Sequence, residues 1–210
     1  MTSVYAFFSK TLSLTVLGLA ALLPFSAQAQ NTYETLPQAQ PTDTPGKVEV
    51  LEFFAYSCPH CATIEPMVAE WKKDLPENVV VRQVPVAFNA SMEDLQRLYY
   101  ALEALGRLDL HPKVFDAIHD ERKRIFTEPA IADWIETQGV KPDDYRAAAR
   151  SFGVTSKVAR AKELEEAYDI QGTPTLAVGG KYVTSPSMTG SYQGTITQAQ
   201  KLVDQVLSAQ

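Results

Sequence analysis

The clearest pattern in the chain is the run Val48 to Tyr56 (VEVLEFFAY), which is almost continuously apolar, β-branched and aromatic. Such a run predicts a strand covered on both faces rather than one with a wet side. Ser57, Cys58 and Pro59 come next. A residue of N-cap type followed by an early Pro marks the start of a helix. Ile64, Met67, Val68 and Trp71 carry that helix at 3.6-residue spacing, and Leu75-Pro76 closes it. Valines then dominate Asn78 to Phe88, a second strand. Strand, helix and strand in this order predict a βαβ unit with parallel strands and a right-handed crossover.

Beyond Ser91 the period changes. Met92, Leu95, Leu98, Tyr99, Leu102 and Leu105 line one face of a helix, and further helices are predicted over residues 112–122, 128–137, 142–152 and 156–168, the last one capped by Ser156. Strand character returns at Thr175 to Val178, turns at Gly179-Gly180 and continues from Lys181 to Val183, a hairpin. Ile196, Leu202, Val203, Val206 and Leu207 make a final amphipathic helix. The lead-in, residues 30–46, is rich in Pro, Thr and Gln and holds one short strand near Tyr33 to Leu36. The fold class is therefore α/β, with a sandwich formed by residues 30–90 and 170–210 and a helical domain, residues 91–169, inserted between its halves.

The first 29 residues read differently. Lys10 precedes an apolar run from Thr11 to Phe25 and then the small residues Ala27 and Ala29, the pattern of a secretory signal peptide cleaved after Ala29. A membrane helix is the alternative, but the apolar run falls short of the roughly 20 residues a span needs and no stop-transfer charges follow. Lys10 is the only basic side chain ahead of the run, so a retained anchor stays open.

Charge narrows the function. The chain carries 19 basic and 25 acidic residues, a net charge of −6, and loses one further positive charge with Lys10. Nucleic-acid binding wants clustered positive charge, so no nucleic-acid partner is expected. Cysteine usage narrows it further. The only two cysteines are Cys58 and Cys61. A disulfide scaffold in an oxidising compartment links distant segments, whereas a bridge across this small ring constrains the unfolded chain by only roughly 2 kcal/mol. The pair is better placed for chemistry than for stapling. A thiol at the first turn of a helix meets unpaired N–H groups and the positive end of the macrodipole, which favour the thiolate. Cys58 holds that position, His60 adds a donor or a positive charge beside it, and Cys61, one turn further in, is the shielded resolving thiol. Stabilising the thiolate stabilises the reduced couple, so the disulfide should be given away. Zinc is the competing reading of a CxxC pair, but no second CxxC exists and His111 and His119 would both have to fold back onto it. No metal is expected, and the two histidines read as ordinary helix-surface residues.

Cys58-Pro59-His60-Cys61 after VEVLEFFAY, the helical insertion, and Gly172-Thr173-Pro174-Thr175 before the last hairpin together resemble the DsbA family of periplasmic disulfide oxidases. The resemblance covers nearly all of residues 33–208. It implies a thioredoxin fold with an inserted helical domain, a periplasmic location, and no cofactor beyond the redox-active Cys58–Cys61 disulfide. It also implies donation of that disulfide to reduced, newly exported proteins through a mixed disulfide, and reoxidation by a quinone-linked membrane oxidase of the DsbB type. A monomer is expected. Catalysis falls to Cys58, Pro59, His60 and Cys61. Pro174 matches the family's cis-proline beside the cysteines, and Thr173 before it would offer backbone groups to an extended substrate. Glu52, a charged residue within the apolar strand, matches a buried acid that accepts the proton of Cys61, and Glu65 matches an acidic position on the active-site helix. An edge position exposing Glu52 to water is the alternative. Where the family often places a lysine beside that acid, this chain has Gln83, and Arg82 next to it points to the opposite face of the strand.

Three other functions use related features. An isomerase of this kind usually carries an N-terminal dimerisation domain, for which residues 30–46 are too few. A cytoplasmic reductant fits neither the signal nor His60. A holdase would use the groove beside Pro174 without redox turnover.

Overall fold

The computed structural model describes residues 1, 2 and 31–209. Apart from Met1 and Thr2, the signal segment expected over residues 1–29 lies outside the described residues. Five strands form one sheet: β1 (Glu34–Thr35), β2 (Val48–Phe54), β3 (Val79–Pro85), β4 (Thr175–Val178) and β5 (Tyr182–Thr184), in the order β1-β5-β4-β2-β3. β2 and β3 run parallel on either side of helix α1 (Pro59–Trp71) in the sequence, as the βαβ pattern predicts, and the remaining pairs are antiparallel. β2 lies between β3 and β4, and all seven of its residues are buried, which explains why its sequence is a nearly unbroken apolar run rather than an alternating one.

Side chains of β2 still alternate between faces. Val48 and Val50 pack with Ile64, Val68 and Trp71 of α1 and with Ile196, Leu202 and Val203 of the C-terminal helix α8 (Tyr192–Ser208). A hydrogen bond from Trp71 Nε1 to Gln200 Oε1 (2.7 Å) joins the two helices at the edge of this layer. Leu51 and Phe53 belong to a second, larger core that runs through Cys61 into the helices between β3 and β4. Those helices are α2 (Glu93–Ala104), α3 (His111–Phe115), α4 (Glu128–Thr137), α5 (Pro142–Ala149) and α6 (Phe152–Ala167). Leu95, Leu98, Tyr99 and Leu102 form the buried stripe of α2 that its periodicity foretells.

Several boundaries differ from expectation for identifiable reasons. Cys58, not Ser57, is the N-cap of α1, with its sulfur accepting from the Cys61 N–H. The last helix of the insertion begins at Phe152, not Ser156, because Ser151 caps it by accepting from Val154 N (3.2 Å). The helix expected over residues 112–122 is α3 followed by a π-helical turn, Asp116–Asp120. A short helix that sequence periodicity gave no sign of, α7 (Pro186–Thr189), stands between β5 and α8. The β4–β5 turn needs both of its glycines. Gly179 and Gly180 have φ of +61° and +70°, and a Cβ on Gly180 would meet the Gln40 carbonyl oxygen at 2.2 Å. That same close approach lets Gln40 N donate to Gly180 O (2.7 Å), anchoring the lead-in segment to the sheet.

Candidate active site

Cys58 and Cys61 are both free thiols at the start of α1, and they occupy unlike surroundings. Cys58 is half-buried, while Cys61 is 1% exposed. As the N-cap residue, Cys58 has extended backbone, and its sulfur accepts from Cys61 N at 3.4 Å. Pro59 occupies the first helical turn, where its missing N–H costs nothing. Hydrogen bonding from Cys61 is the largest influence on Cys58, and it outweighs burial. The Thr173 side chain and the backbone N–H groups of Cys61 and His60 act in the same direction, and the thiol falls from 9.0 to about 5. Cys61 goes the other way. Burial, followed by the hydrogen bond and negative charge of Cys58, pushes its thiol well above the ordinary range. One sulfur is thus an accessible thiolate at neutral pH and the other a shielded thiol.

Across from the cysteines lies the loop before β4. The Thr173–Pro174 peptide bond is cis. The Cys58 sulfur sits 3.3 Å from the Thr173 carbonyl oxygen, to which its protonated form donates. A carbonyl favours the thiol over the thiolate, so the acidity of Cys58 rests on the other donors. This loop, His60 and Tyr192 line a groove of about 840 Å³ that runs between Gly172–Pro174 and α7. His60 is exposed, and its Nδ1 is 2.6 Å from the Tyr192 hydroxyl, which holds the imidazole at the groove wall.

Beneath α1 the structure gathers polar groups that the sequence only partly announced. Glu52 is 1% exposed, so the edge-exposed alternative is set aside, and its Oε2 has no hydrogen-bond partner. Burial, followed by the charge of Glu65, raises its carboxyl well above the usual range. Gln83 is its register partner on β3. The Gln83 amide donates to both Glu65 oxygens (3.1 and 3.2 Å) and takes the Tyr99 hydroxyl at its own oxygen (3.3 Å). Arg82 points to the other face, as expected, and pairs with Glu49 (2.8 Å) and Asp43 (3.0 Å). Glu52 is therefore not the only buried acid of its strand. Glu49 is 2% exposed, but it has the arginine that Glu52 lacks.

The histidines correct the sequence reading. His111 is 4% exposed, not a helix-surface residue. Its Nδ1 lies 2.7 Å from the Tyr56 hydroxyl, and its Nε2 lies 3.1 Å from Gln83 Nε2 and 3.3 Å from Glu65 Oε1. His119 is half-buried and donates from Nε2 to the Tyr56 carbonyl (2.8 Å), holding the backbone just ahead of the cysteine motif. Pro112 and Lys113 beside His111 are exposed, and the hydrogen-bond partners of both imidazoles are more than 25 positions away. No local pattern could have found them. Among the described residues no group of three or more His, Cys, Asp or Glu side chains is placed to hold a metal ion, and no helix is long and apolar enough to cross a membrane.

Comparison with known proteins agrees with this geometry. Residues 49–193 match the family model of the DSBA-like thioredoxin domain. The chain is 50% identical over 203 residues to a thiol:disulfide interchange protein DsbA of Bordetella pertussis, with 95% of each chain covered. It is 39% identical over 191 residues to the protein of that name from Burkholderia cepacia, with 90% of each covered. The crystal structure of Pseudomonas aeruginosa DsbA superposes with a TM-score of 0.81 at 33% identity, over 85% of this chain and 94% of that one.

Proposed function

The chain belongs to the DSBA-like thioredoxin family and is a thiol:disulfide oxidoreductase; from that premise we propose that it donates the Cys58–Cys61 disulfide to reduced, newly exported proteins in the periplasm. A substrate thiolate attacks the Cys58 sulfur, the Cys58–Cys61 bond breaks, and a mixed disulfide joins substrate to Cys58. The electron pair leaves on Cys61, which takes a proton from the Glu52 carboxyl. A second substrate thiolate then attacks the substrate sulfur of the mixed disulfide and expels Cys58 as its thiolate. The substrate gains a disulfide and the protein is left as the dithiol. A membrane oxidase of the DsbB type restores the bridge, and Glu52 then takes back the Cys61 proton.

The observation that carries this reading is the position of the Cys58 sulfur, half-exposed at the mouth of α1 and held as a thiolate near neutral pH. The stable Cys58 thiolate is the leaving group of the second step and part of the final product, so the two steps taken together run toward the reduced protein. Thr173, beside the sulfur, offers main-chain groups to an extended substrate strand, and the groove along Pro174 supplies the surface on which that strand lies. Backbone pairing of this kind reads little sequence, as suits a donor for many unfolded chains. A monomer suffices, because every group in the scheme comes from one chain. The cleaved leader, residues 1–29, and the domain limits 30–90, 91–169 and 170–210 complete the proposal.

The test is oxidation of a reduced, unfolded substrate by the purified disulfide form. One substrate disulfide per protein molecule is expected, with Cys58→Ala at background. Oxidation that persists in Cys58→Ala defeats the assignment.

A further inference from the structure

A second cleft, of about 720 Å³, opens between α1 and α3. Its inner wall holds Glu52, Glu65, Gln83 and His111. Here is the one buried side-chain oxygen without a hydrogen-bond partner among the described residues, Glu52 Oε2. A buried carboxyl that must exchange a proton with Cys61 needs a path for that proton to water, and neither Glu52 nor Cys61 is itself more than 1% exposed.

We infer that His111 is a positioning residue that carries the proton between the buried Glu52–Glu65 pair and this cleft. The reasoning rests on the proposed thiol–disulfide function and on Glu52 as the acceptor of the Cys61 proton. Gln83 donates its amide hydrogens to Glu65 and toward His111 Nε2, so Nε2 presents a lone pair and the ring proton resides on Nδ1, donated to the Tyr56 hydroxyl oxygen at 2.7 Å. Glu65 Oε1 lies 3.3 Å from the same nitrogen, and because the Gln83 amide is shared between Glu65 and the imidazole, its turning wholly onto Glu65 releases the Nε2 lone pair. A proton arriving on Glu65 therefore meets an acceptor within reach, and the imidazolium it forms keeps its bond to Tyr56. Edge contacts with Phe54, Tyr99 and Phe115 hold the ring in place.

The groups facing His111 are few on each element. From β2 comes Glu52, from the turn after it Tyr56, from α1 Glu65, from β3 the uncharged Gln83, and from α2 Tyr99. At the cleft mouth stand Glu70, Lys72 and Lys73 at the end of α1, with Asp116 and Asp120 on the π-helical turn after α3. Tyr56 and Tyr99 are pushed upward by burial and stay protonated at neutral pH.

The step that isolates proton removal is closure of a mixed disulfide between Cys58 and glutathione. Cys61 loses its proton to Glu52, its thiolate attacks the Cys58 sulfur, and glutathione leaves as the thiolate. Sulfur is neither gained nor lost, and no further oxidant enters. Glutathione release would be followed from pH 5 to 9 in the natural protein, His111→Gln and Glu52→Gln. Both variants should close at least tenfold more slowly at pH 7, and the His111→Gln rate should recover toward pH 9, where hydroxide can serve. Normal closure and an unmoved pH profile in His111→Gln, with Glu52→Gln slow, overturns the role of His111 alone. Normal closure in both overturns the Glu52 reading as well, and slow closure in His111→Gln alone overturns a path through the acids. Should His111→Gln not fold, the ring nitrogen signals of His111 in the natural protein decide. They are expected to titrate differently in the oxidised and reduced forms, and identical titration in both overturns the proposal.

Discussion

Cys58 and Cys61 are one helical turn apart, yet they carry opposite acidities because the fold treats their sulfurs differently. The first sits where helix N–H groups converge; the second is on the buried face of α1. Lowering Cys58 from 9.0 to about 5 has a defined pH signature. Only the thiolate alkylates, so the rate of Cys58 modification by iodoacetamide should follow a titration with its midpoint near pH 5 and be flat from pH 6.5 upward. A midpoint in the range of an ordinary cysteine, near 8.5, contradicts the helix-mouth account. The motif made this site legible at once, because spacing and an early Pro suffice to place a sulfur at a helix start. The acids were legible only in part. Glu52 stood out as a charge in an apolar strand, but Glu49 carries the same signal, and what separates them is Arg82 reaching one face of the sheet and not the other. His111 was misjudged, since its partners Tyr56, Glu65 and Gln83 meet it only once β2, α1 and β3 are assembled.

Elements were legible where hydrophobic period and punctuation agree. α4 and β4 fall where the periodicity puts them, Glu128–Thr137 and Thr175–Val178. Starts and stops set by side-chain hydrogen bonds were harder, because Ser and Thr occur at several plausible positions before each helix. α6 shows this. Ser151 and Ser156 are both cap-type residues near its start, and only the first accepts from an N–H of the opening turn. Ser151→Ala should therefore cost about 1 kcal/mol in urea denaturation, while Ser156→Ala, inside the helix, should be close to neutral. Equal effects, or a larger loss at Ser156, contradict this placement of the helix start. The π-helical turn Asp116–Asp120 was invisible to a 3.6-residue template by construction, yet it follows directly on the helix that carries His111 and brings His119 to the Tyr56 carbonyl.

For the molecule as a whole, the two halves of the sandwich and the inserted helices meet around α1: β2 joins it from the first half, the Thr173–Pro174 loop reaches Cys58 from the second, and His111 reaches Glu65 from the insertion. The lead-in joins them through Asp43, which pairs with Arg82 of β3 and with Arg160 of α6 (both 3.0 Å). This arrangement biases the redox couple. A disulfide across so small a ring constrains the unfolded chain by only roughly 2 kcal/mol, while the reduced fold holds a thiolate that the unfolded chain holds poorly. Because the Cys58 pKa is depressed on folding, that stabilisation is complete above the unfolded value of 9.0 and is lost as the pH falls through about 5. At neutral pH a substantial part remains, which under the proposed function draws electrons toward this protein. The redox equilibrium with glutathione, measured across that range, tests the claim most directly. At pH 7 the equilibrium should lie far to the side of reduced protein and oxidised glutathione, with the bias beyond that of an ordinary thiol pair shrinking toward pH 5; an equilibrium at pH 7 that favours the Cys58–Cys61 disulfide would contradict a reduced state held by the Cys58 thiolate.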